Sequence, residues 1–325
     1  MTLMAAAMMS VAVACGDGAE RSSHETASVQ TRLAAANDST IRLTDDGGHP
    51  MQVARPARRI ISLIPSATET LIVLGLTDRI VGRTRYDVDP HLANVPLVGG
   101  GVDPSVETIV GLRPDLVLTW ENDKRELVRN KLAALGVPVF TVRTEDTSDV
   151  FRTIHSLGQL TGRDSAAAAL AASLRGQLDG VRRSVAGKSV PSVLFVVYND
   201  PPMTAGPKTF IGQLLSLAGG RSIFSDTSAL WPNIAMEEIV RRQPDIIIVP
   251  VGEFKNNSIA RFHAMPGWRD LRAVQTNRVV AVPADLVSRP GSHMGDAAET
   301  IRNALHPELR PVDSIGVAKS RVTTP

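Results

Sequence analysis

Large aromatic side chains are scarce in this chain, and most of them occupy positions where a ligand could bind. The 325 residues include three tryptophans and two tyrosines. Trp120 and Tyr198 each end an aliphatic run of strand length, Tyr86 follows another predicted strand, and Trp231 precedes a predicted helix. Open α/β sheets bind ligands beyond the carboxyl ends of their strands. These rings therefore predict an aromatic rim for a large, flat, partly apolar ligand, unless they only fill the ends of the domains.

Arginines gather at the same predicted strand ends. Arg83 and Arg85 follow the predicted strand 80–82, Arg143 follows the run 139–142, and Arg289 follows the last predicted strand. Guanidinium groups suit an anionic ligand or a metal chelate. Surface arginines are common, so simple solvation is the alternative explanation for each one singly.

Sequence motifs of the common enzyme classes are absent. The chain has no G-x-S-x-G, no H-E-x-x-H, no P-loop and no G-x-G-x-x-G after a strand. The glycine run 99–101 lacks the strand-to-helix context of a phosphate loop and is interpreted as a turn. The histidines are scattered, and the spacing of His91 and His293 does not indicate a metal site. We therefore expect a protein that is not an enzyme and has no intrinsic cofactor.

One helix-to-strand stretch occurs twice in the chain. It reads V-E-T-I-V-G-L-R-P-D-L-V-L at 106–118 and M-E-E-I-V-R-R-Q-P-D-I-I-I at 236–248. In each copy a short helix should stop at Pro-Asp, because proline disrupts the helical pattern, and a strand buried on both faces should follow. The shared order predicts a duplicated α/β lobe. The identical pairs are Glu107 and Glu237, Ile109 and Ile239, Val110 and Val240, Pro114 and Pro244, and Asp115 and Asp245.

The remaining pattern alternates strands with helices on both sides of one long helical segment. It predicts an α/β fold of two Rossmann-like lobes with parallel sheets, joined by a single long backbone helix, with a ligand cleft between the lobes. The N-terminal lobe should span residues 41–162 and the C-terminal lobe residues 188–306. The linking helix, 163–187, is rich in Ala, Leu, Gln and Arg.

Two local features of the first lobe can be predicted in detail. Residues 41–53 suggest a hairpin whose positive-φ turn is supplied by Asp46 and Gly47. Ser66, with Glu69 three residues later, suggests an N-cap and a capping box at the start of the first helix.

The overall composition is that of a globular protein, with 43% hydrophobic and 21% charged residues. A formal net charge of +2 without a long Lys/Arg run argues against nucleic-acid binding. Because the single cysteine has no partner, the chain should contain no internal disulfide.

The N-terminus looks like an export signal. Residues 1–14 are small and apolar but too few to span a bilayer, and the sequence A-V-A-C ending at Cys15 resembles a bacterial lipobox. We expect residues 1–15 to be a signal peptide with a lipidation site, 16–40 a flexible tether, and 307–325 a frayed tail. A signal peptide normally begins with a positively charged region, but no Lys or Arg precedes Cys15. Either the true start of the protein lies further upstream, or the match to a lipobox is accidental.

Taken together, these motifs resemble the helical-backbone (class III) substrate-binding proteins of ABC importers for vitamin B12, siderophores and haem. The resemblance extends from about residue 41 to residue 305, and the pattern around 201–202 and 231–232 is most similar to members that bind vitamin B12. The motifs that carry it are residues 59–63, 65–69, 114–117 with Trp120, 199–206, 219–224, and 231–234 with Glu237.

The resemblance assigns roles to individual positions. Tyr86, Trp120 and Trp231 match positions that contact the corrinoid, while residues 199–202 match a turn that lines the cleft. One departure is the glycine-rich stretch 98–101, where members that bind vitamin B12 have a further cleft tryptophan. Because of this departure, an iron chelate or haem remains an alternative ligand. The full set of expected ligand-binding residues is Tyr86, Trp120, Tyr198, Asn199, Asp200, Pro201, Trp231, Arg289 and Arg85.

The same resemblance implies that Glu107 and Glu237, one on each lobe, dock onto arginines of a membrane permease. First-turn glutamates favoured by the helix dipole are the alternative explanation.

We therefore expect an exported, lipid-anchored monomer facing the periplasm or cell exterior. It would capture cobalamin or another metal chelate and deliver it to an ABC permease with its ATPase, with little closure of the lobes. A ferric-siderophore or haem receptor of the same fold is the first alternative. An enzyme acting on a bound chelate is less favoured, and an adhesion module would bind no small molecule.

Overall fold

The structure is a computed structural model that describes residues 40–53, 56–121, 123–252 and 259–310. The predicted signal peptide with Cys15, nearly all of the predicted tether and the tail from residue 311 lie outside the described residues. Within the described ranges, no helix has both the length and the apolarity that a bilayer crossing requires.

A four-stranded sheet organises the N-terminal half. The elements in chain order are β1 (Ile41–Thr44), β2 (Pro50–Val53), β3 (Ile60–Ser62), α1 (Pro65–Val73), β4 (Ile80–Gly82), α2 (Val106–Gly111), β5 (Leu116–Trp120), α3 (Asp123–Ala134), β6 (Val139–Val142) and α4 (Thr147–Thr161). The strand order is β4-β3-β5-β6, and each neighbouring pair is parallel. Burial of the central strands on both faces explains their continuous aliphatic sequences.

A five-stranded sheet organises the C-terminal half. The elements are α5 (Asp164–Ser184), β7 (Ser192–Asn199), β8 (Pro202–Thr204), α6 (Phe210–Leu217), β9 (Arg221–Ser222), α7 (Met236–Arg242), β10 (Ile246–Val251), α8 (Ile259–Ala264), α9 (Arg272–Gln275), β11 (Val279–Pro283), α10 (Ala284–Val287) and α11 (Met294–Leu305). The order is β11-β10-β7-β8, with β9 also beside β7. All pairs are parallel except β7 with β8, which form a hairpin.

The predicted hairpin at 41–53 is present as the antiparallel pair β1–β2, but its turn differs from the prediction. The left-handed residue is Gly48, at φ 80°, and not Asp46 or Gly47. The Asp45 carboxylate accepts the His49 backbone N–H at 2.7 Å, which closes a longer loop than a two-residue turn. The Asx-type side-chain bond therefore decides where the chain reverses.

The predicted capping box at Ser66 and Glu69 is wrong. Helix α1 begins at Pro65 with Ile64 in the cap position, and no side chain caps it. Proline fits the first helical position because its fixed φ suits the helix and no N–H is needed there. The Glu69 carboxylate instead pairs with Arg289 of the other lobe at 2.7 Å.

Helix α5 lies between the two sheets in sequence and contributes to a core that both halves share. The largest buried cluster includes Leu174, Leu178 and Val181 of α5 together with strand residues of both sheets, such as Leu118 and Phe195. Helix α5 packs against α4 on one side and α11 on the other. The two lobes are therefore joined by continuous packing as well as by the chain.

The repeated stretch folds the same way in both lobes. Helix α2 leads into β5, and helix α7 leads into β10. The residue before each proline has a left-handed backbone, Arg113 at φ 48° and Gln243 at φ 42°. Since the residue before proline avoids the right-handed helical region, the helix ends at the same place in each copy.

The aspartate of each Pro-Asp pair fastens the start of the central strand beside it. The Asp115 carboxylate accepts the backbone N–H groups of Arg58 and Arg59 at 2.9 and 2.8 Å. The Asp245 carboxylate accepts the backbone N–H and the hydroxyl of Ser192 at 2.9 and 2.6 Å. The aspartate therefore makes the same kind of structural contact in both lobes. This contact explains why it recurs, and no functional role is needed.

Replacing Asp245 tests that role. The Ser192 hydroxyl is the largest influence that lowers the pKa of Asp245. A carboxyl whose folded-state pKa is lowered stabilises the fold above its ordinary pKa and loses that contribution as the pH falls through the lowered value. We expect Asp245→Asn to reduce the free energy of unfolding at neutral pH by about 1 kcal/mol. The loss is modest because the Asp245 side chain is partly exposed. Below about pH 4 the loss should be smaller. Urea unfolding measures both.

The matched control is Asp179→Asn, which breaks an exposed ion pair with Arg182 on α5. It should change the free energy of unfolding by only a few tenths of a kcal/mol. A loss at Asp245 no larger than this control would contradict the fastening role.

Candidate ligand-binding cleft

A cavity of about 440 Å³ lies between the lobes, at the carboxyl ends of strands from both sheets. Its volume is within the usual range for a small-molecule site. This is the edge where parallel α/β sheets bind ligands. The described residues that line it are Pro65, Ser66, Tyr86, Trp120, Thr144, Glu145, Phe210, Ile211, Trp231, Gly252, Ala284, Asp285, Ser288, Arg289 and Pro290.

Trp120 is the last residue of β5, and the loop at 99–101 is shaped to receive its ring. A Cβ on Gly101 would lie 2.4 Å from the Trp120 ring and 2.6 Å from the Leu63 carbonyl oxygen. Only glycine fits between a ring and a backbone oxygen at that distance. The glycine run interpreted as a turn therefore also lets the Trp120 ring approach the backbone of the cleft wall.

Trp231 lies in the loop before α7, and the backbone of that loop is bonded to strand β8. The Leu230 carbonyl accepts the Gly206 N–H at 2.8 Å, and the Pro202 carbonyl accepts the Ile234 N–H at 2.8 Å. The Trp231 side chain is 44% exposed. A large apolar surface held in this position by backbone bonds is suited to being covered by a ligand.

Tyr86 follows β4 in a tightly bonded loop. The buried Asp87 carboxylate accepts both the backbone N–H and the hydroxyl of Thr84 at 2.7 Å. The Arg85 guanidinium lies 5.9 Å from the centre of the Tyr86 ring, within cation–π range. These contacts position Tyr86 on the cavity wall.

Arg289 connects the two lobes beside the cavity. Its guanidinium contacts the Glu69 carboxylate of the N-terminal lobe at 2.7 Å and the Asp285 carboxylate of its own lobe at 2.9 Å. It also donates to the Tyr86 carbonyl oxygen at 3.4 Å. Burial raises the pKa of Glu69 above its ordinary value, although the hydrogen bond and charge of Arg289 oppose that effect. The pair is therefore a partly buried ion pair that spans the lobes.

Two close backbone approaches hold the lobes together near the same cavity. The Phe210 N–H donates to the Glu145 carbonyl at 2.6 Å. A Cβ on Gly291 would lie 2.9 Å from Ser66 Cβ and 3.0 Å from the Ser66 carbonyl oxygen. At both places the backbone of one lobe lies directly against the other lobe.

Of the nine expected ligand-binding residues, four line the cavity, namely Tyr86, Trp120, Trp231 and Arg289. The structure does not bring Arg85, Tyr198, Asn199, Asp200 or Pro201 to its lining. Strand β7 leaves the parallel sheet after Phe195 and continues into the β7–β8 hairpin, so Tyr198 pairs with Met203 and is 60% exposed. A hairpin at this strand end, instead of a crossover helix, carries these residues away from the lining.

The other arginines expected at strand ends also have structural partners. Arg83 donates to the Val95 carbonyl at 3.2 Å, and Arg85 pairs with Asp103 at 2.6 Å. Arg143 lies 3.5 Å from the buried Asp149 carboxylate. None of the three is among the described residues that line the cavity.

Two acidic lining residues were not anticipated. Glu145 follows β6, and Asp285 follows β11 in helix α10. Both come after the carboxyl end of a strand, so the rule that identified Arg289 would also have identified them.

The two glutamates expected to dock a permease occupy equivalent positions in the first turns of α2 and α7. Both are exposed, and within the described part of the chain neither makes a side-chain ion pair. The neighbouring Glu238 differs, because hydrogen bonds from Arg241 and Arg242 lower its pKa to about 2. Among the described residues, no group of three or more His, Cys, Asp and Glu side chains could hold a metal ion.

Two α/β lobes with parallel sheets, a helical connection and a cavity at the strand ends define a two-lobed ligand-binding receptor. The chain belongs to the periplasmic binding protein family, whose model matches residues 60–286.

Individual relatives agree with that assignment. The chain is 27% identical over 275 residues to an uncharacterized ABC transporter substrate-binding lipoprotein of Bacillus subtilis, covering 82% of this chain and 86% of the relative. The crystal structure of the periplasmic vitamin B12 binding protein BtuF of Vibrio cholerae matches with a TM-score of 0.66 and 28% identity, covering 79% of this chain and 99% of that one. A possible iron-binding periplasmic protein of Staphylococcus epidermidis matches with a TM-score of 0.69 and 29% identity, covering 78% and 100%.

Replacing Gly101 tests the packing beneath Trp120. We expect Gly101→Ala to lower the free energy of unfolding by about 1–3 kcal/mol, because the new Cβ overlaps a ring and a backbone oxygen. The tryptophan fluorescence spectrum of the folded protein should also change as the Trp120 ring moves.

The control is Gly176→Ala in α5, where nothing lies within 4 Å of an added Cβ. This substitution should stabilise the protein by about 0.5–1 kcal/mol through helix propensity. If Gly101→Ala is also neutral or stabilising, the ring does not pack on that backbone as described.

Proposed function

We propose that this chain is the extracytoplasmic substrate-binding lipoprotein of an ABC importer, and that its cleft captures a corrinoid of the vitamin B12 type. The observation that carries the ligand choice is the cavity wall, where Trp120, Trp231 and Tyr86 bring three large rings to one cleft. The likeness to a vitamin B12 binding protein supports the same ligand.

In the proposed mechanism, the ligand is buried between two lobes that move little. Aromatic faces supply apolar contact area with few rotatable bonds, which limits the entropy lost on binding. The shared core around α5 supports a cleft that is largely formed before the ligand arrives. Release would then require the permease to separate the lobes.

Delivery would use one docking point on each lobe. Glu107 and Glu237 are exposed and occupy equivalent places in the duplicated helices, so they present carboxylates to cationic partners on a permease with its ATPase. Lipidation at Cys15 would hold the monomer at the membrane surface.

An iron-chelate or haem ligand is the second candidate. Likeness to a possible iron-binding protein favours it, and so does the glycine-rich stretch 98–101, which stands where members that bind vitamin B12 have a further cleft tryptophan. The family is one of binding proteins, and the chain is proposed to have no catalytic activity.

The ligand can be identified by absorbance titration of the purified protein with cobalamin, haemin and a ferric hydroxamate. We expect cobalamin to bind tightly. Trp120→Ala and Trp231→Ala should each weaken that binding by about tenfold or more, because a base- or ring-stacking contact contributes about 1–3 kcal/mol. Tyr198→Ala removes an exposed aromatic outside the cavity lining and is the control. Tight binding of haemin without binding of cobalamin would reject the corrinoid ligand.

The docking role can be tested with the double variant Glu107→Arg, Glu237→Arg. We expect uptake in a reconstituted importer to fall by at least about tenfold, because like charges would face each other at both docking points, while ligand affinity stays unchanged. Asp164→Arg with Glu299→Arg makes the same change in net charge at exposed positions on α5 and α11 and should leave uptake intact. Equal uptake by both double variants would show that the two glutamates only interact with the helix dipole and do not dock the permease.

A further inference from the structure

We infer that the cleft selects neutral or cationic metal chelates and disfavours anionic ones. The inference rests on the proposed function, since it concerns the same cleft, and it names the charge class of the ligand. It follows from the charged groups that the described residues bring to the cavity and from the partners that each already has.

Acidic residues line the cavity from both lobes. Glu145 comes from the N-terminal lobe and Asp285 from the C-terminal lobe. Glu145 is exposed and makes no ion pair within the described part of the chain. Asp285 is about half exposed and contacts Arg289 alone among charged partners in the described residues. A ligand anion between the lobes would therefore meet negative charge on either side.

The single basic side chain among the described lining residues already has two carboxylate partners. Arg289 lies between Glu69 and Asp285, and its side chain is only 17% exposed. A ligand carboxylate that paired with Arg289 would compete with both partners. Displacing Glu69, whose side chain is 24% exposed, would leave a partly buried carboxylate without its cation, which is unfavourable.

The nearby arginines add little free positive charge. Arg85 faces Asp103 at 2.6 Å, and Arg143 lies near Asp149 at 3.5 Å and Glu121 at 3.8 Å. Each guanidinium is balanced locally by a carboxylate, so its field at the cavity is reduced. Among the described residues at the cavity edge, carboxylates outnumber the cations that lack a carboxylate partner, and this charge repels anionic ligands.

This charge pattern distinguishes ligands of similar size. A corrin ring whose periphery carries amides brings hydrogen-bonding groups without net negative charge. Haem carries propionates, and catecholate iron chelates are anions. The aromatic wall could contact any of these, so the charge of the wall decides between them.

The test compares two pairs of probes that differ chiefly in charge. One pair is dicyanocobinamide, whose side chains are amides, and dicyanocobyrinic acid, whose side chains are carboxylates. The other is ferrioxamine B, a cation, and ferric enterobactin, an anion. We expect the first member of a bound pair to bind at least about tenfold tighter. Affinity for the anionic member should rise with ionic strength, because salt screens the repulsion.

Variants separate charge from shape. Glu145→Gln with Asp285→Asn should raise the affinity for the anionic probe relative to the affinity for the neutral corrinoid by about tenfold. The control Asp164→Asn with Glu299→Gln makes the same change in net charge at exposed positions away from the cavity and should leave both unchanged.

The outcomes are separable from those of the proposed function. Equal or tighter binding of an anionic probe by the wild-type protein would overturn the charge inference, as would a variant whose anion binding does not improve. If the iron chelates bind and the corrinoids do not, the corrinoid proposal fails, while the order within the iron pair still decides the charge inference.

Discussion

The arrangement of the cleft depends on one continuous hydrophobic core that passes from one lobe to the other through α5. Leu174, Leu178 and Val181 lie in the same buried cluster as residues of both central sheets. A close-packed interior resists gradual deformation, so the lobes cannot rotate far without breaking contacts along the helix. The ion pair between Glu69 and Arg289 and the close approach of Gly291 to Ser66 add polar and steric contacts near the cavity itself. The proposed mechanism, in which the lobes move little, depends on these contacts.

Parallel topology then determines which residues can reach that cleft. In each lobe the Pro-Asp element fixes the amino end of the central strands, through Asp115 in one and Asp245 in the other. The carboxyl ends of both sheets lie at the same cavity and bring Trp120 and Asp285 to it from opposite lobes. The duplicated aspartates act at one end of the strands, and the cavity lies at the other. The repeat is thus a feature of the scaffold that supports the cavity.

The architecture was predictable because it follows from the hydrophobic periodicity of the sequence and from the residues that end helices and strands. Buried aliphatic runs, the recurring Pro-Asp and the long alanine-rich helix are local signals, and each corresponds to an element of the structure. Details that depend on side-chain competition were not predictable. The β1–β2 turn is set by the Asp45 carboxylate, and α1 begins at Pro65 instead of using Ser66 as a cap. In both places several hydrogen-bonding arrangements suit the sequence, and tertiary contacts choose among them.

The site was predictable only in part, because a residue's position at a strand end does not reveal what it is already bonded to. For Trp120 and Trp231, a position beside the cavity was enough for a correct prediction, because an exposed aromatic face can contact a ligand whatever its other neighbours are. The arginines are different. An arginine beside a cleft attracts anions only if no carboxylate has balanced it, and the partners of Arg85 and Arg289 come from segments distant in sequence. The arginines at strand ends suggested a cleft suited to an anionic ligand or a metal chelate, whereas in the structure Arg289 is paired with carboxylates and the acidic residues Glu145 and Asp285 also line the cavity. The charge that a binding site presents to a ligand depends on which ion pairs form in the folded protein, and it cannot be read from the composition alone.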